Sequence, residues 1–300
     1  MVPPMFDSDN ITSSVKTVVM LPAAKLNLSL VVFDKRADGF HDLHTVMGTV
    51  NLYDELQLRT SDKPGIQLHC AGLGCPETSD NLVYRAAELL AEYAQIKPAI
   101  EIYLNKRIPS GAGLGGASSD GAACLIGLDR LWELNLSEEE LGKLAAELGS
   151  DVPFFLYGCV AVCTGRGEIV KELPYHCSRS ILLIAPDIHT STGKIYQHYT
   201  CNDARVQEDM QRVSYFLRRG DLDGLITKGI NSLTDVTMGL VKPLEKLRCE
   251  IENLGISPVH MTGSGSCLFA TSDSQDQIAQ WDQQIQKHNL AQTFQVKFNK

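Results

Sequence analysis

Pro109-Ser110-Gly111-Ala112-Gly113-Leu114-Gly115-Gly116-Ala117-Ser118-Ser119 concentrates glycine where side chains would keep a ligand away from the backbone. With no Cβ atoms in the way, main-chain amides can converge on one point. Ala122, Ala123, Leu125, Ile126 and Leu128 then recur at helical spacing, so the turn is predicted to open a helix whose positive end faces the same point. Phosphate suits such a cradle. Ser118 and Ser119 add hydroxyls that could bind phosphate oxygen or a magnesium ion. The stretch lacks GxxxxGK[ST], so it is not a Walker site. The plainer alternative is a flexible loop that lets a helix pack closely on a strand.

Upstream, Ile100 to Leu104 reads as a strand running into Asn105-Lys106-Arg107-Ile108 and the glycines. Strand, loop and helix therefore follow in the order a phosphate site needs. Ser79 or Asp80 is placed to cap a helix carrying Leu82, Ala86, Leu89, Leu90 and Tyr93 on one face. Nearer the start, Val18 to Leu21 and then Leu26, Leu28, Leu30 and Val32 have strand periodicity, with Lys25 and Asn27 on the opposite face. Lys35-Arg36-Ala37-Asp38-Gly39 supplies hairpin chemistry.

Downstream, Ser137 and Glu140 form a capping box for a helix that stops at Gly149, and Asp151 lies in the joint that follows. Cys159 to Cys163 is a strand before the Gly165-Arg166-Gly167 turn. Beyond Tyr175 come a strand at Ile181 to Ile184, helices at Val206 to Leu217, Leu244 to Leu254 and Gln275 to Lys287, and a last strand at Phe294 to Phe298. A Gly-Ser-Gly turn interrupts the apolar run from Met261 to Ala270. Strands and helices mix without strict βαβ alternation, which makes the class α+β.

At 300 residues, with 44% hydrophobic and 21% charged residues, the chain has globular composition and length enough for two lobes. The net charge of −9 argues against a broad nucleic-acid or acidic-membrane footprint, so an anionic substrate must be met by local cations. Nine cysteines without a CxxC pair fit free thiols in a reducing compartment. The amino-terminal stretch has no signal-peptide pattern and no apolar run approaches the roughly 20 residues of a membrane helix. The expected address is cytoplasmic, without membrane or nucleic-acid partners.

Pro-x-x-x-Gly-Leu-Gly-Gly-x-Ser-Ser followed by alanines resembles the ATP-binding motif of the GHMP kinase superfamily. Within it, the chain is similar to the branch that phosphorylates a cytidine diphosphate-linked polyol on the non-mevalonate isoprenoid route. Further motifs carry the match in the expected order. They are Pro22-Ala23-Ala24-Lys25-Leu26-Asn27-Leu28 with Arg36-Ala37-Asp38-Gly39-Phe40-His41, Leu148-Gly149-Ser150-Asp151-Val152-Pro153-Phe154-Phe155, and Met261-Thr262-Gly263-Ser264-Gly265-Ser266-Cys267. One departure is Asn231-Ser232-Leu233-Thr234, where the family usually has Asn-Asp-Leu-Glu.

The resemblance implies a two-lobed GHMP-kinase-like fold. Residues 17–175 would form an ATP-binding lobe like ribosomal protein S5 domain 2, 176–300 an α/β sandwich-like lobe, and 1–16 a disordered extension. It implies ATP and Mg2+ as cofactors, transfer to the polyol 2-hydroxyl, and a monomer or weak homodimer. By the same resemblance Lys25 and Asp151 sit side by side. Asp151 accepts the hydroxyl proton, and Lys25 orients the hydroxyl and neutralises developing charge. Phe40, His41 and Tyr196 would hold the cytosine, Asn27 and Thr192 the polyol or diphosphate end, and Asn81 and Lys106 the adenosine side of a nucleotide lying along residues 109–119.

Each residue also has a plainer role. Asp151 could cap a helix before Val152-Pro153, Lys25 could be an edge lysine, and Phe40 and Tyr196 could be core. His41 could belong to a turn, Asn81 and Lys106 to the surface, and Gly263 to Ser266 to a hairpin. The rival functions are a sister kinase acting on homoserine or mevalonate and a silent nucleotide binder that keeps the fold. An RNA-binding protein is disfavoured by the acidity.

Overall fold

The computed structural model describes residues 15–299. The expected extension at 1–16 lies outside the described residues except at its end, where the Lys16 amide donates to Thr60 Oγ1 at 3.0 Å. In chain order the elements are β1 (Thr17–Met20), β2 (Ala23–Lys35), β3 (His41–Tyr53), β4 (Glu55–Thr60), β5 (Gly65–Gly72), α1 (Leu82–Tyr93), β6 (Ala99–Lys106) and α2 (Gly116–Trp132). There follow α3 (Glu138–Leu148), α4 (Phe154–Tyr157), β7 (Val160–Thr164), β8 (Ile169–Glu172), β9 (Ser180–Ala185), α5 (Thr192–His198), α6 (Asp203–Arg219) and α7 (Leu222–Lys228). The chain continues through α8 (Thr234–Leu240), α9 (Lys242–Asn253), β10 (His260–Met261), β11 (Leu268–Ser272), α10 (Gln275–Lys287) and β12 (Gln292–Lys297).

Three four-stranded sheets organise these elements, in the orders β1-β4-β6-β5, β2-β3-β7-β8 and β10-β11-β9-β12. Every pairing is antiparallel except β5 with β6. Helices α1 and α2 lay their alanine and leucine faces on the first sheet, burying Leu56, Leu58, Ile102 and Leu104 against Ala86, Leu90 and Leu125. Gly127 makes that contact close, because a Cβ there would lie 2.3 Å from Leu58 Cδ1. The helix holding the glycine loop is thereby fixed to the strand that leads into it.

The β2–β3 hairpin turns where expected: the Arg36 amide donates to the Phe40 carbonyl at 2.7 Å, and Gly39 takes a φ of +88°. The capping box at Ser137 and Glu140 is formed. The cap of α1 differs from expectation. Asn81, not Ser79 or Asp80, accepts the Val83 amide, because the extended residue lies one step closer to the helix.

The last strand returns to the first hairpin. Phe298 fills the space left by the missing Cβ of Gly48, and the Asn299 amide donates to the Thr49 carbonyl at 2.9 Å. One core therefore mixes Leu26, Leu28 and Val46 with Ile181, Val213, Leu225 and Phe298. At the departure around Asn231, Ser232 Oγ accepts the Val32 amide at 3.1 Å, while the Asn231 side-chain amide donates to the Met261 and Gly263 carbonyls. The short serine joins the third region of the chain to β2 without a carboxylate.

Candidate active site

Lys25 projects from β2 with only 4% of its side chain exposed, and its Nζ lies 3.6 Å from Asp151 Oδ2. Asp151, 40% exposed, sits just past the end of α3, where Gly149 stops the helix. Pro153, not Asp151, precedes α4, so the helix-cap role does not describe it. Asn27 holds the lysine: its Oδ1 accepts from Lys25 Nζ at 2.8 Å and from Thr262 Oγ1 at 3.1 Å, while its Nδ2 donates to Thr45 Oγ1 at 2.8 Å. Its amide is engaged at both ends, and Asn27 lines a small cavity beside Lys25. A buried ammonium next to a half-exposed carboxylate is a place where a hydroxyl can be both oriented and deprotonated.

The glycine loop reaches the same spot. The Lys25 amide donates to the Leu114 carbonyl at 2.9 Å, and Gly115 lies against the lysine stem: a Cβ there would fall 2.9 Å from Lys25 Cγ and 2.9 Å from Phe155 Cζ. Gly111, Gly113 and Gly115 all have positive φ, and Gly115 ends the loop without any side-chain cap on α2. The first-turn amides of that 17-residue helix are thus left for an anion rather than for a serine or aspartate. Ser119 is buried, whereas Ser118 faces the same cavity as Asp151. The second glycine turn closes on the loop from the other half of the chain, with a Cβ at Gly113 meeting the Thr262 carbonyl oxygen at 2.5 Å.

Two cavities share Asp151, Leu43, Thr192 and Tyr196. The smaller, about 140 Å3, holds Lys25, Asn27, Gly113 and Gly115. The larger, about 520 Å3, holds Phe40, His41, Ser118 and Arg166. His41 is buried and lies 5.7 Å, ring to ring, from Tyr196. Its Nδ1 is 2.9 Å from the Phe33 carbonyl, which can only accept, so Nδ1 is the donor there and Nε2 is left for another partner. Burial pushes the Tyr196 phenol upward, keeping it neutral. Phe40 is 49% exposed, which excludes the core role for it. Thr192 Oγ1 lies 2.9 Å from Ser264 Oγ at the head of α5, joining the second glycine turn to this wall.

Asn81 and Lys106 are placed differently. Asn81 spends its oxygen on the α1 cap and its amide on the Pro76 carbonyl at 2.8 Å. Lys106 is buried, paired with Asp54 and, at 2.6 Å, with Asp120. Neither is a surface residue: Asn81 caps α1, and Lys106 ties the end of β6 to Asp120 of α2. The lysine lies under the start of α2, since a Cβ on Gly116 would come 3.2 Å from its Nζ. Burial drives Asp120 up to about 7, against the opposing pull of Lys106. A further cavity of about 660 Å3 meets the Pro109–Ser110 end of the loop and includes Leu73 and His189.

Sequence reasoning missed Asp54, Asp120 and Thr262. Asp120 directly follows Ser118-Ser119 and Thr262 stands inside the Met261–Cys267 motif, so both could have been suspected from position, whereas Asp54 carries no local signal.

Comparison with known proteins bears on the family and the fold. The family model described as the GHMP kinases N terminal domain matches residues 81–159. A relative from Bacillus cytotoxicus named 4-diphosphocytidyl-2-C-methyl-D-erythritol kinase is 37% identical over 254 residues, covering 85% of this chain and 87% of its own. A Listeria monocytogenes relative of the same name is 39% identical over 247 residues, covering 82% and 84%. A crystal structure of 4-(cytidine 5'-diphospho)-2C-methyl-D-erythritol kinase superposes with a TM-score of 0.73 at 31% identity, over 94% of this chain and all of that one.

Proposed function

Since the chain belongs to the 4-diphosphocytidyl-2-C-methyl-D-erythritol kinase family, we propose that its catalytic pair is Lys25 with Asp151. The reaction is the ATP-dependent phosphorylation of the substrate's 2-hydroxyl, in isoprenoid precursor synthesis. The observation that carries the assignment is the 3.6 Å approach of Lys25 Nζ to Asp151 Oδ2 beside the glycine loop.

In this reading the hydroxyl lies between the two side chains. Asp151 takes its proton, and the ammonium of Lys25, held by Asn27, stabilises negative charge as it grows on oxygen. A carboxylate with an ordinary pKa of about 3.9 is a weak base for an alcohol, so the proton moves late, as the hydroxyl loses electron density. The amides of residues 113–117 and the start of α2 receive phosphate, whose nucleotide end extends toward Pro109, Ser110, Asn81 and Lys106. His41 Nε2 matches the exocyclic amine of cytosine, with Phe40 and Tyr196 against its faces and Thr192 nearer the polyol.

Magnesium is implied by the family's chemistry, and the Ser118 hydroxyl, a hard oxygen donor facing the cavity, fits it while Asp151 is kept for the proton. When bound, it would offset phosphate charge. We divide the chain into lobes at residues 17–175 and 176–300, and read the protein as a cytoplasmic monomer or weak homodimer. Its described cysteines are free thiols, which supports a reducing compartment, and no helix among the described residues is long and apolar enough to cross a membrane.

A coupled ADP-release assay with the cytidyl alcohol, homoserine and mevalonate tests the reading. Turnover confined to the cytidyl alcohol and lost in Lys25→Ala and Asp151→Asn is expected. Activity that survives both substitutions would remove the pair from the chemistry.

A further inference from the structure

We propose that Arg166 recognises the diphosphate of the substrate, an inference that rests on the kinase reading above. The residue stands on the Thr164–Gly167 turn, which the fold clamps from two sides. The Gly165 carbonyl accepts the Leu43 amide of β3 at 2.8 Å, and Gly167 lies so close to the Ser150–Asp151 segment that a Cβ would sit 3.3 Å from the Ser150 carbonyl oxygen and 3.7 Å from Asp151 Oδ1. Both glycines take positive φ, +68° and +121°. A turn built so tightly between strand and catalytic aspartate displays its middle side chain from a rigid base.

That side chain points along the substrate cavity. The guanidinium carbon lies 4.8 Å from the centre of the Phe40 ring, in the cation–π arrangement that holds an arginine flat while leaving its edge donors free. Its acidic neighbours hold it loosely: Nε is 3.8 Å from Glu168 Oε1, Glu168 Oε2 is occupied by the Arg166 amide at 2.6 Å, and Asp38 is near enough for the guanidinium to lower its pKa without an ion-pair contact to it. Along the cavity, Phe40 marks the end assigned to the base and Asp151 the end assigned to the reacting hydroxyl. In the substrate the diphosphate connects those two ends. Arg166 touches Phe40 on one side and adjoins Asp151 through Gly167 on the other, so its fork lies where the two phosphates must pass. A chain of net charge −9 needs such a local cation to accept that anion, and a planar fork matches phosphate oxygens in pairs.

Calorimetric titration of cytidine, CMP and CDP into wild-type protein, Arg166→Ala and Arg166→Lys tests this without requiring turnover. Wild type is expected to bind CDP more tightly than cytidine. Arg166→Ala should weaken CDP by about 10- to 100-fold, the loss of a charge-assisted pair, and leave cytidine within about 3-fold. Arg166→Lys should fall between. In steady state, the KM for the cytidyl alcohol should rise by a similar factor in Arg166→Ala, with kcat and the KM for ATP nearly unchanged. Equal weakening of cytidine and CDP, or an unchanged CDP affinity, would overturn the proposal. A wild-type protein inert toward the cytidyl alcohol would instead overturn the activity reading, and the titrations would still decide what Arg166 does.

Discussion

At the scale of single residues, Lys25 and Asp151 should behave as one unit. Asp151→Asn keeps the shape but removes the proposed base, and a loss of about 10²–10⁴-fold in kcat is expected. Lys25→Ala should cost at least as much, and the double variant little more than the worse single one, because each group works on the hydroxyl the other holds. Nearly multiplicative losses in single-turnover kinetics would contradict that. Asp120 gives a pH dependence of stability. Burial raises its folded pKa to about 7, above the ordinary carboxylate value, so between those two values the folded chain holds a proton that the unfolded chain has released. Its contribution is present at low pH and is lost as pH rises toward about 7. The slope from one group reaches at most about 1.4 kcal/mol per pH unit. Asp120→Asn should flatten the melting temperature between pH 4.5 and 7.5, and an unchanged slope would show that another group sets it. None of this was legible from composition or spacing alone. Lys25 on a strand and Asp151 before Val-Pro look ordinary until their motifs are matched, and Lys106 looks like a surface lysine until Asp54 and Asp120 meet it from 52 and 14 residues away.

Among the elements, the glycine loop and α3 offer two Gly→Ala exchanges with opposite expected outcomes. Gly115 has φ +68° and no room: the new methyl would press on Lys25 Cγ and Phe155 Cζ, both at 2.9 Å. Because misplacing a reacting group by about 1 Å can cost roughly 10²-fold, Gly115→Ala should lower kcat by at least about 10-fold while the fold survives. Gly142 lies inside α3, where an added Cβ would meet nothing within 4 Å, so Gly142→Ala should stabilise by about 0.5–1 kcal/mol and leave kcat alone. Thermal melts and initial rates on both proteins check the contrast, and a fully active Gly115→Ala would show that the loop does not position the lysine. The same elements explain what pattern could reveal. The hairpin at 35–39 and the capping box at Ser137 are local chemistry and were readable. Strand β3 was not, because Thr45 to Val50 is buried on both faces and shows no alternation. Helices α4, α5, α7 and α8, of four to seven residues, are too short for a helical period to emerge.

For the whole molecule, the order of motifs forecast an α+β kinase fold, but the return of the last strand to the first hairpin left no mark in the sequence. Contacts such as Phe298 with Gly48 join residues 250 apart in the chain, and a pattern within a short window carries no information about them. That closure has a thermodynamic consequence. The core that mixes Leu26, Leu28 and Val46 with Ile181, Val213 and Phe298 belongs to both proposed lobes, so neither can lose its packing without exposing the other's. Two tryptophans report on the two sides, Trp132 at the end of α2 and Trp281 in α10, both partly buried. Single-tryptophan proteins made by Trp132→Phe and Trp281→Phe should therefore give the same urea midpoint for each residual fluorophore. Phe298→Ala, which empties a buried aromatic site, should lower both midpoints together, by about 3–5 kcal/mol in unfolding free energy. Midpoints that separate, with Phe298→Ala moving only the Trp281 transition, would mean that the lobes fold independently. The cleft between glycine loop and second glycine turn would then be held by contacts weaker than the shared core, and substrate affinity should fall as the carboxy-terminal half melts.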